Sequence, residues 1–161
     1  MDEVMKGRVW LFGDDISTDL LSPGAYAVEP VEVRKLHVLE SVDPSFASTV
    51  RPGDILVAGV NFGCGSSRET APENLKALGI ACVVASSFAR IFLRNAVAIG
   101  LPVLVCPDAP LIVDTGDEAE VDLSKGTFRN VATGQVAQGE PLPPEMREIL
   151  AAGGILATLR P

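Results

Sequence analysis

Ile55-Leu56-Val57-Ala58-Gly59-Val60 runs without a break into Asn61-Phe62-Gly63-Cys64-Gly65-Ser66-Ser67-Arg68-Glu69-Thr70-Ala71. The first six residues form a short apolar run of the kind that fills a buried strand. Two glycines one residue apart then let the backbone turn sharply. From Glu69 to Leu78 the composition is helical, with Gly79 at the stop. Ser66 and Glu69 have capping-box spacing, which predicts Ser66 as the N-cap and Arg68 in the first turn. Two readings of this turn fit its residues. One is a plain strand-to-helix turn with a serine cap. The other is an anion site, in which free helix amides and the planar fork of an arginine take a carboxylate or phosphate. A phosphate-binding loop is excluded because no Lys-Ser/Thr pair follows the last glycine, and Arg68 stands where a dinucleotide motif needs its third glycine. The Gly-x-Ser-x-Gly elbow of hydrolases is also missing.

Downstream, Ala81 to Ala85 and Leu101 to Cys106 are two more buried runs, separated by a helix over Phe88 to Gly100. Strand, helix, strand, helix, strand over residues 55–106 specifies an α/β unit. Arg90 and Arg94 share one helix face at i, i+4. Cys82 is expected to be an inert core thiol.

Upstream, Gly7 to Phe12 reads as a strand, Asp14 to Asp19 as a polar loop without the order of a calcium site, and Leu20 to Gly24 as an extended segment and turn. Residues 24–30 form a loop that carries Tyr26 and is expected to be mobile in the isolated chain, and Val31 to Leu39 is a helix with His37 on its solvated face. Beyond Pro107 short strands are predicted at 111–113, 119–123, 127–131 and 135–136, then a helix over 143–152 with prolines at its start.

With 161 residues, 47% hydrophobic and 21% charged, the chain is sized for one domain without staples. Three widely spaced cysteines and one histidine offer neither a disulfide framework nor a local metal cage. The net charge of −8 argues against nucleic acid. Only residues 61–106 have a basic balance that includes acids of their own, four bases against two, so an anion is drawn to the glycine-serine turn. The acidic start and the absence of a long apolar run predict a cytoplasmic protein with no membrane contact.

Three motifs together carry a family resemblance: Gly13-Asp14-Asp15-Ile16-Ser17-Thr18-Asp19, Asn61 to Glu69, and Ser87-Phe88-Ala89-Arg90-Ile91-Phe92 followed by Arg94-Asn95. In order, spacing and chain length the sequence resembles the small subunits of 3-isopropylmalate dehydratase, the swivelling domain of the aconitase superfamily. The resemblance implies a single compact swivelling β/β/α domain over residues 1–161, an α/β fold with a small central sheet flanked by helices and a β-rich second layer. It implies a hydro-lyase of leucine biosynthesis, active only with a large subunit in a heterodimer or heterotetramer. A [4Fe–4S] cluster would be carried by that large subunit, and no metal by this chain.

By the same resemblance Ser66 is the catalytic base, while Ser67, Arg68, Asp19 and Ser22 hold a dicarboxylate substrate. Tyr26, Ala27, Val28 and Glu29 form the loop that reads its side chain. An arginine at the third of these positions would suit the extra carboxylate of homoaconitate; Val28 favours an apolar group such as isopropyl, and Glu29 repels added negative charge. Ala27 is smaller than the family pattern, Thr70 replaces a frequent histidine, and Ser22 is closer to aconitase. Homoaconitate, citrate and dimethylmalate enzymes are therefore alternatives, and a non-catalytic dicarboxylate-binding module is one of another class.

Overall fold

The computed structural model describes residues 4–159. Its centre is one seven-stranded sheet in the order β4-β3-β2-β1-β5-β6-β7. The strands are β1 (Val4–Leu11), β2 (Ile55–Ala58), β3 (Cys82–Ala85), β4 (Val103–Val105), β5 (Glu118–Asp122), β6 (Thr127–Asn130) and β7 (Val136–Gln138). β1 is the seam of the sheet. Its C-terminal end runs parallel to β2, with Val9 opposite Ile55 and Leu11 opposite Val57, while its first half pairs antiparallel with β5.

The two halves of the sheet have different sequence texture for a physical reason. Every residue of β2 and β3 is buried, as in parallel strands covered on both faces, so the apolar runs are continuous. In β5 only Ala119 and Val121 are buried, between exposed or half-buried Glu118, Glu120 and Asp122, the alternation of a strand with one dry face. The β-rich part expected after Pro107 is this antiparallel half.

Helices α4 (Thr70–Ala77) and α5 (Arg90–Ala98) are the crossovers of the parallel half, and α6 (Pro144–Ala152) follows the last strand. α5 buries Phe92, Ala96 and Val97, which fall on one face, and leaves Arg90, Ile91 and Arg94 outside. Among the described residues no helix is long and apolar enough to cross a membrane.

Several local expectations change. Ser66 is not an N-cap: α4 starts at Thr70 after Glu69, whose side chain makes no capping bond. The chain between Gly65 and Arg68 is still turning, which leaves Arg68 ahead of the helix. Residues 20–24 are not extended, because Ser17 caps a short helix α1 (Thr18–Leu21) through its Oγ, which accepts from the Leu20 N–H. The helix expected over 31–39 stops early as α2 (Val31–Arg34) and one 3₁₀ turn, Lys35–His37. Around Leu111 the chain forms a 3₁₀ turn, Ala109–Leu111, with Pro110 inside it and no strand. Two short helices, α3 (Phe46–Thr49) and α7 (Ile155–Thr158), lie in segments without helical periodicity.

Candidate active site

The three motifs singled out in the sequence meet at the C-terminal edge of the parallel strands, where open α/β sheets gather their ligands. The loop after β2 lies between the other two. On one side the Gly63 N–H donates to the Ile16 carbonyl at 2.7 Å and the Thr18 N–H to the Cys64 carbonyl at 2.8 Å. On the other the Phe62 N–H donates to the Ser87 carbonyl at 3.0 Å and the Ala89 N–H to the Phe62 carbonyl at 2.9 Å. Ser87 also accepts the Asn61 N–H on its Oγ, and Asp14 accepts the Val60 N–H. Ser87 therefore secures the loop through both its carbonyl and its hydroxyl.

These bonds place a charged clamp. Arg68 Nη1 donates to Asp19 Oδ1 at 2.7 Å and to the Ser22 carbonyl at 2.8 Å. Its Nε and Nη2 have no acceptor among the described residues, so one edge of the guanidinium stays open to a ligand. Ser22 is buried, and its Oγ shares a 2.6 Å hydrogen bond with Thr70 Oγ1.

The bond from Arg68, then that from the Gly24 N–H, holds the Asp19 carboxyl below the usual 3.8. A depressed pKa gives the sign: the pair supports the fold above the unfolded pKa and is lost as pH falls through the lower folded one. A ¹³C titration of Asp19 is expected to have its midpoint below 3.8, and Arg68→Met to return it towards that value. An unshifted Asp19 in the unaltered chain would contradict the clamp.

Ser66 and Ser67 sit beside the clamp on exposed backbone. The N–H groups of Gly65, Ser66 and Ser67 find no acceptor among the described residues, so consecutive backbone donors face outward. Donors of this kind suit a carboxylate or a developing oxyanion. The Ser66 hydroxyl lies 3.4 Å from Oγ1 of buried Thr18, a long contact that leaves it free to turn towards a ligand.

Residues 24–29 form a 3₁₀ turn, Gly24–Tyr26, and an exposed tip at Ala27 and Val28. The loop is anchored along its length. The Gly24 N–H helps to hold the Asp19 carboxyl low. Tyr26 stacks on His37 with ring centroids 3.5 Å apart, and His37 Nδ1 is 2.7 Å from Glu40 Oε2, so His37 is a platform for the loop and not a solvated helix residue. Arg34 Nε donates to the Glu29 carbonyl at 2.9 Å. Val28 itself is 95% exposed. Clefts of about 190 and 170 Å³ lie elsewhere, against Glu69 and Ile155 and against Leu93 and Met146, and neither includes Ser66 or Arg68. The clamp is an open surface.

Comparison with known proteins agrees with the geometry. The family model "Aconitase C-terminal domain" matches residues 22–108. The 3-isopropylmalate dehydratase small subunit 1 of Methanopyrus kandleri is 52% identical over 99% of this chain and 95% of its own. The chain belongs to the isopropylmalate dehydratase small-subunit family. The 2,3-dimethylmalate dehydratase small subunit of Eubacterium barkeri is 48% identical over 94% of this chain and 93% of its own. The crystal structure of 3-isopropylmalate dehydratase (leuD) from Methanocaldococcus jannaschii superposes with a TM-score of 0.90 at 40% identity, over 97% of this chain and 93% of that one.

Within this family fold the residues expected at the site divide into two groups. Asp19, Ser22 and Arg68 touch one another, and Ser66 and Ser67 adjoin them on the same loop. Ala27 and Val28 approach none of them by any hydrogen bond or ring contact. Thr18, Thr70, Ser87, Arg34 and Asn74 were not predicted as site residues. Each acts through a partner between 26 and 48 positions away, a separation that no periodicity reports.

Proposed function

We propose that this chain is the small subunit of a 3-isopropylmalate dehydratase, one swivelling domain spanning residues 1–161 that works in the cytoplasm with a large subunit, as a heterodimer or heterotetramer. The observation that carries the reading is the clamp: Arg68 fixed by Asp19 and the Ser22 carbonyl, beside free amides and the exposed, loosely bonded Ser66 hydroxyl. Cys82 and Cys106 are buried, Cys64 is half-buried, and no group of three metal-ligating side chains occurs among the described residues. Such residues do not fit a cluster, so the iron–sulfur group implied by the family, which would draw off the departing hydroxyl, is assigned to the large subunit.

Within this chain the roles that the resemblance implies are consistent with position. The open edge of Arg68 and the hydroxyl of Ser67 receive one substrate carboxylate. Charge builds on that carboxylate as the adjacent C–H bond breaks, and the backbone donors at 65–67 stabilise it better than the ground state. Ser66 Oγ, as the alkoxide, accepts the proton and becomes the hydroxyl, and the alkoxide returns when a proton is delivered to carbon in the hydration step. The C–H electron pair becomes the double bond as the C–O bond breaks, and addition of water in the opposite sense at the neighbouring carbon completes the isomerisation. A serine hydroxyl becomes a base only where its anion is stabilised, and these amides and the nearby guanidinium meet that need.

Val28 and Glu29 suit an alkyl substituent over a third carboxylate. The test is a substrate panel of isopropylmalate, dimethylmalate, citrate and homoaconitate on the assembled pair. Isopropylmalate is expected to lead, and Val28→Arg to shift kcat/KM towards homoaconitate by about tenfold or more. Leading turnover of a tricarboxylate by the unaltered pair would reject the assignment.

A further inference from the structure

Arg34 is 8% exposed, yet it lies outside the clamp and touches three acceptors on two elements. Nε donates to the Glu29 carbonyl at 2.9 Å, Nη1 to Asn74 Oδ1 at 3.0 Å and Nη2 to Glu73 Oε1 at 2.6 Å. Asn74 is fully buried, and its Nδ2 donates to the Leu21 carbonyl at 3.2 Å. One turn earlier on the same face of α4, Thr70 bonds Ser22. A single helix face thus holds the end of α1, the buried serine of the clamp and, through Arg34, the far end of the loop 24–29. The near end of that loop follows directly on Ser22, whose carbonyl accepts from Arg68, the partner of Asp19.

Stability alone does not account for a buried guanidinium in this place. Its charged partner Glu73 is 47% exposed, so the ion pair itself contributes little to stability, and what the buried guanidinium supplies is one fixed arrangement of the Glu29 carbonyl, Asn74 and Glu73. The planar fork reaches three separate acceptors from three nitrogens in fixed directions, whereas an ammonium concentrates its three donors on one atom.

We propose that Arg34 is a positioning residue for substrate selection: by bridging the Glu29 carbonyl to Asn74 and Glu73 it fixes how far Ala27 and Val28 stand from the Asp19–Ser22–Arg68 clamp, and so sets the size of alkyl group the enzyme accepts. The inference rests on the reading above that this loop meets the substrate's alkyl group. Loss of the fork frees the Glu29 carbonyl, the tip moves, and methyl and isopropyl groups are no longer told apart.

The test uses Arg34→Met and Arg34→Lys, each assembled with the large subunit and assayed on 2-methylmalate and 2-isopropylmalate. The ratio of their kcat/KM values is expected to fall about tenfold in both variants, since one methylene in a shaped pocket is worth roughly that much or more. Lysine keeps the charge facing Glu73 but not the fork, so it does not rescue the ratio. In the isolated chain, hydrogen exchange over residues 24–34 should accelerate about tenfold while β2 is unchanged. An equal loss on both substrates, a ratio rescued by lysine, or unaltered exchange in the loop would overturn the proposal. Should Arg34→Met not fold, Arg34→Lys decides. If the unaltered pair turns over neither alkylmalate, the assignment of function fails, and the exchange measurement still decides whether Arg34 holds the loop.

Discussion

Ser66→Ala is expected to lower kcat of the assembled enzyme about a thousandfold, within the range that a positioned general base contributes. KM should move little. Arg68, Ser67 and the backbone donors hold the substrate carboxylate, while Asp19 and the Ser22 carbonyl fix Arg68, and none of these depends on the Ser66 hydroxyl. Among the described residues this hydroxyl shares a hydrogen bond only with Thr18 Oγ1, at 3.4 Å, so its removal leaves no close partner orphaned and the fold intact. Assembly with the large subunit, followed by gel filtration, should be unaffected. A loss of kcat with KM preserved identifies a group that acts only in the transition state. An alanine variant with the kcat of the unaltered enzyme would exclude Ser66 as the base.

Gly63→Ala acts on the fold first and on chemistry only through it. Gly63 has φ +83°, and an added Cβ would lie 2.3 Å from Phe92 Cβ and Cγ. Phe92 cannot withdraw. It is 2% exposed and packs edge-on against Phe62 at a centroid distance of 5.1 Å, with Phe88 completing the cluster. The left-handed backbone costs an alanine about 1–2 kcal/mol, and overpacking a core contact adds about 1–3 kcal/mol. The expected loss is therefore about 2–5 kcal/mol in a denaturant titration, with an unchanged slope. Gly65 offers an internal control: it too has positive φ, but its Cβ would come no nearer to any atom than 3.2 Å, at Thr18 Oγ1, so Gly65→Ala should cost less. Equal stability of Gly63→Ala and the unaltered chain would contradict the packing of the loop on α5.

The parallel half of the fold was legible because burial on both faces leaves continuous apolar runs at 55–60, 81–85 and 101–106, each bounded by glycine or proline. The glycine-serine turn was legible as a turn, and the approach of Phe92 gives Gly63 a reason to be glycine that composition alone does not supply. What failed was local capping chemistry. Ser66-x-x-Glu69 has the spacing of a capping box, yet the helix starts at Thr70 because bonds to Ile16, Thr18 and Ser87 hold the preceding residues in a long turn. Ser17, in a stretch read as loop, turned out to be the cap. Tertiary bonds between loops override local propensity at such a point, as expected where function constrains the backbone.

The clamp shows the same division. Arg68 was marked by its fork and its place in the only basic-leaning stretch, but its partner Asp19 lies 49 positions away, and only the family resemblance joined them beforehand. The network of Arg34, Asn74 and Thr70 had no such guide. Their side chains are polar in segments with amphipathic spacing, where solvent exposure is the ordinary expectation, and burial alone separates them from it.

The central claim is that this chain holds half of an active site. It is tested most directly by titrating the purified chain into a cluster-loaded large subunit of the family while following turnover of 2-isopropylmalate. Neither subunit alone is expected to turn substrate over, and activity should rise to a plateau at a fixed ratio. Turnover by this chain alone, or a stable complex with no activity on any alkylmalate, would contradict it.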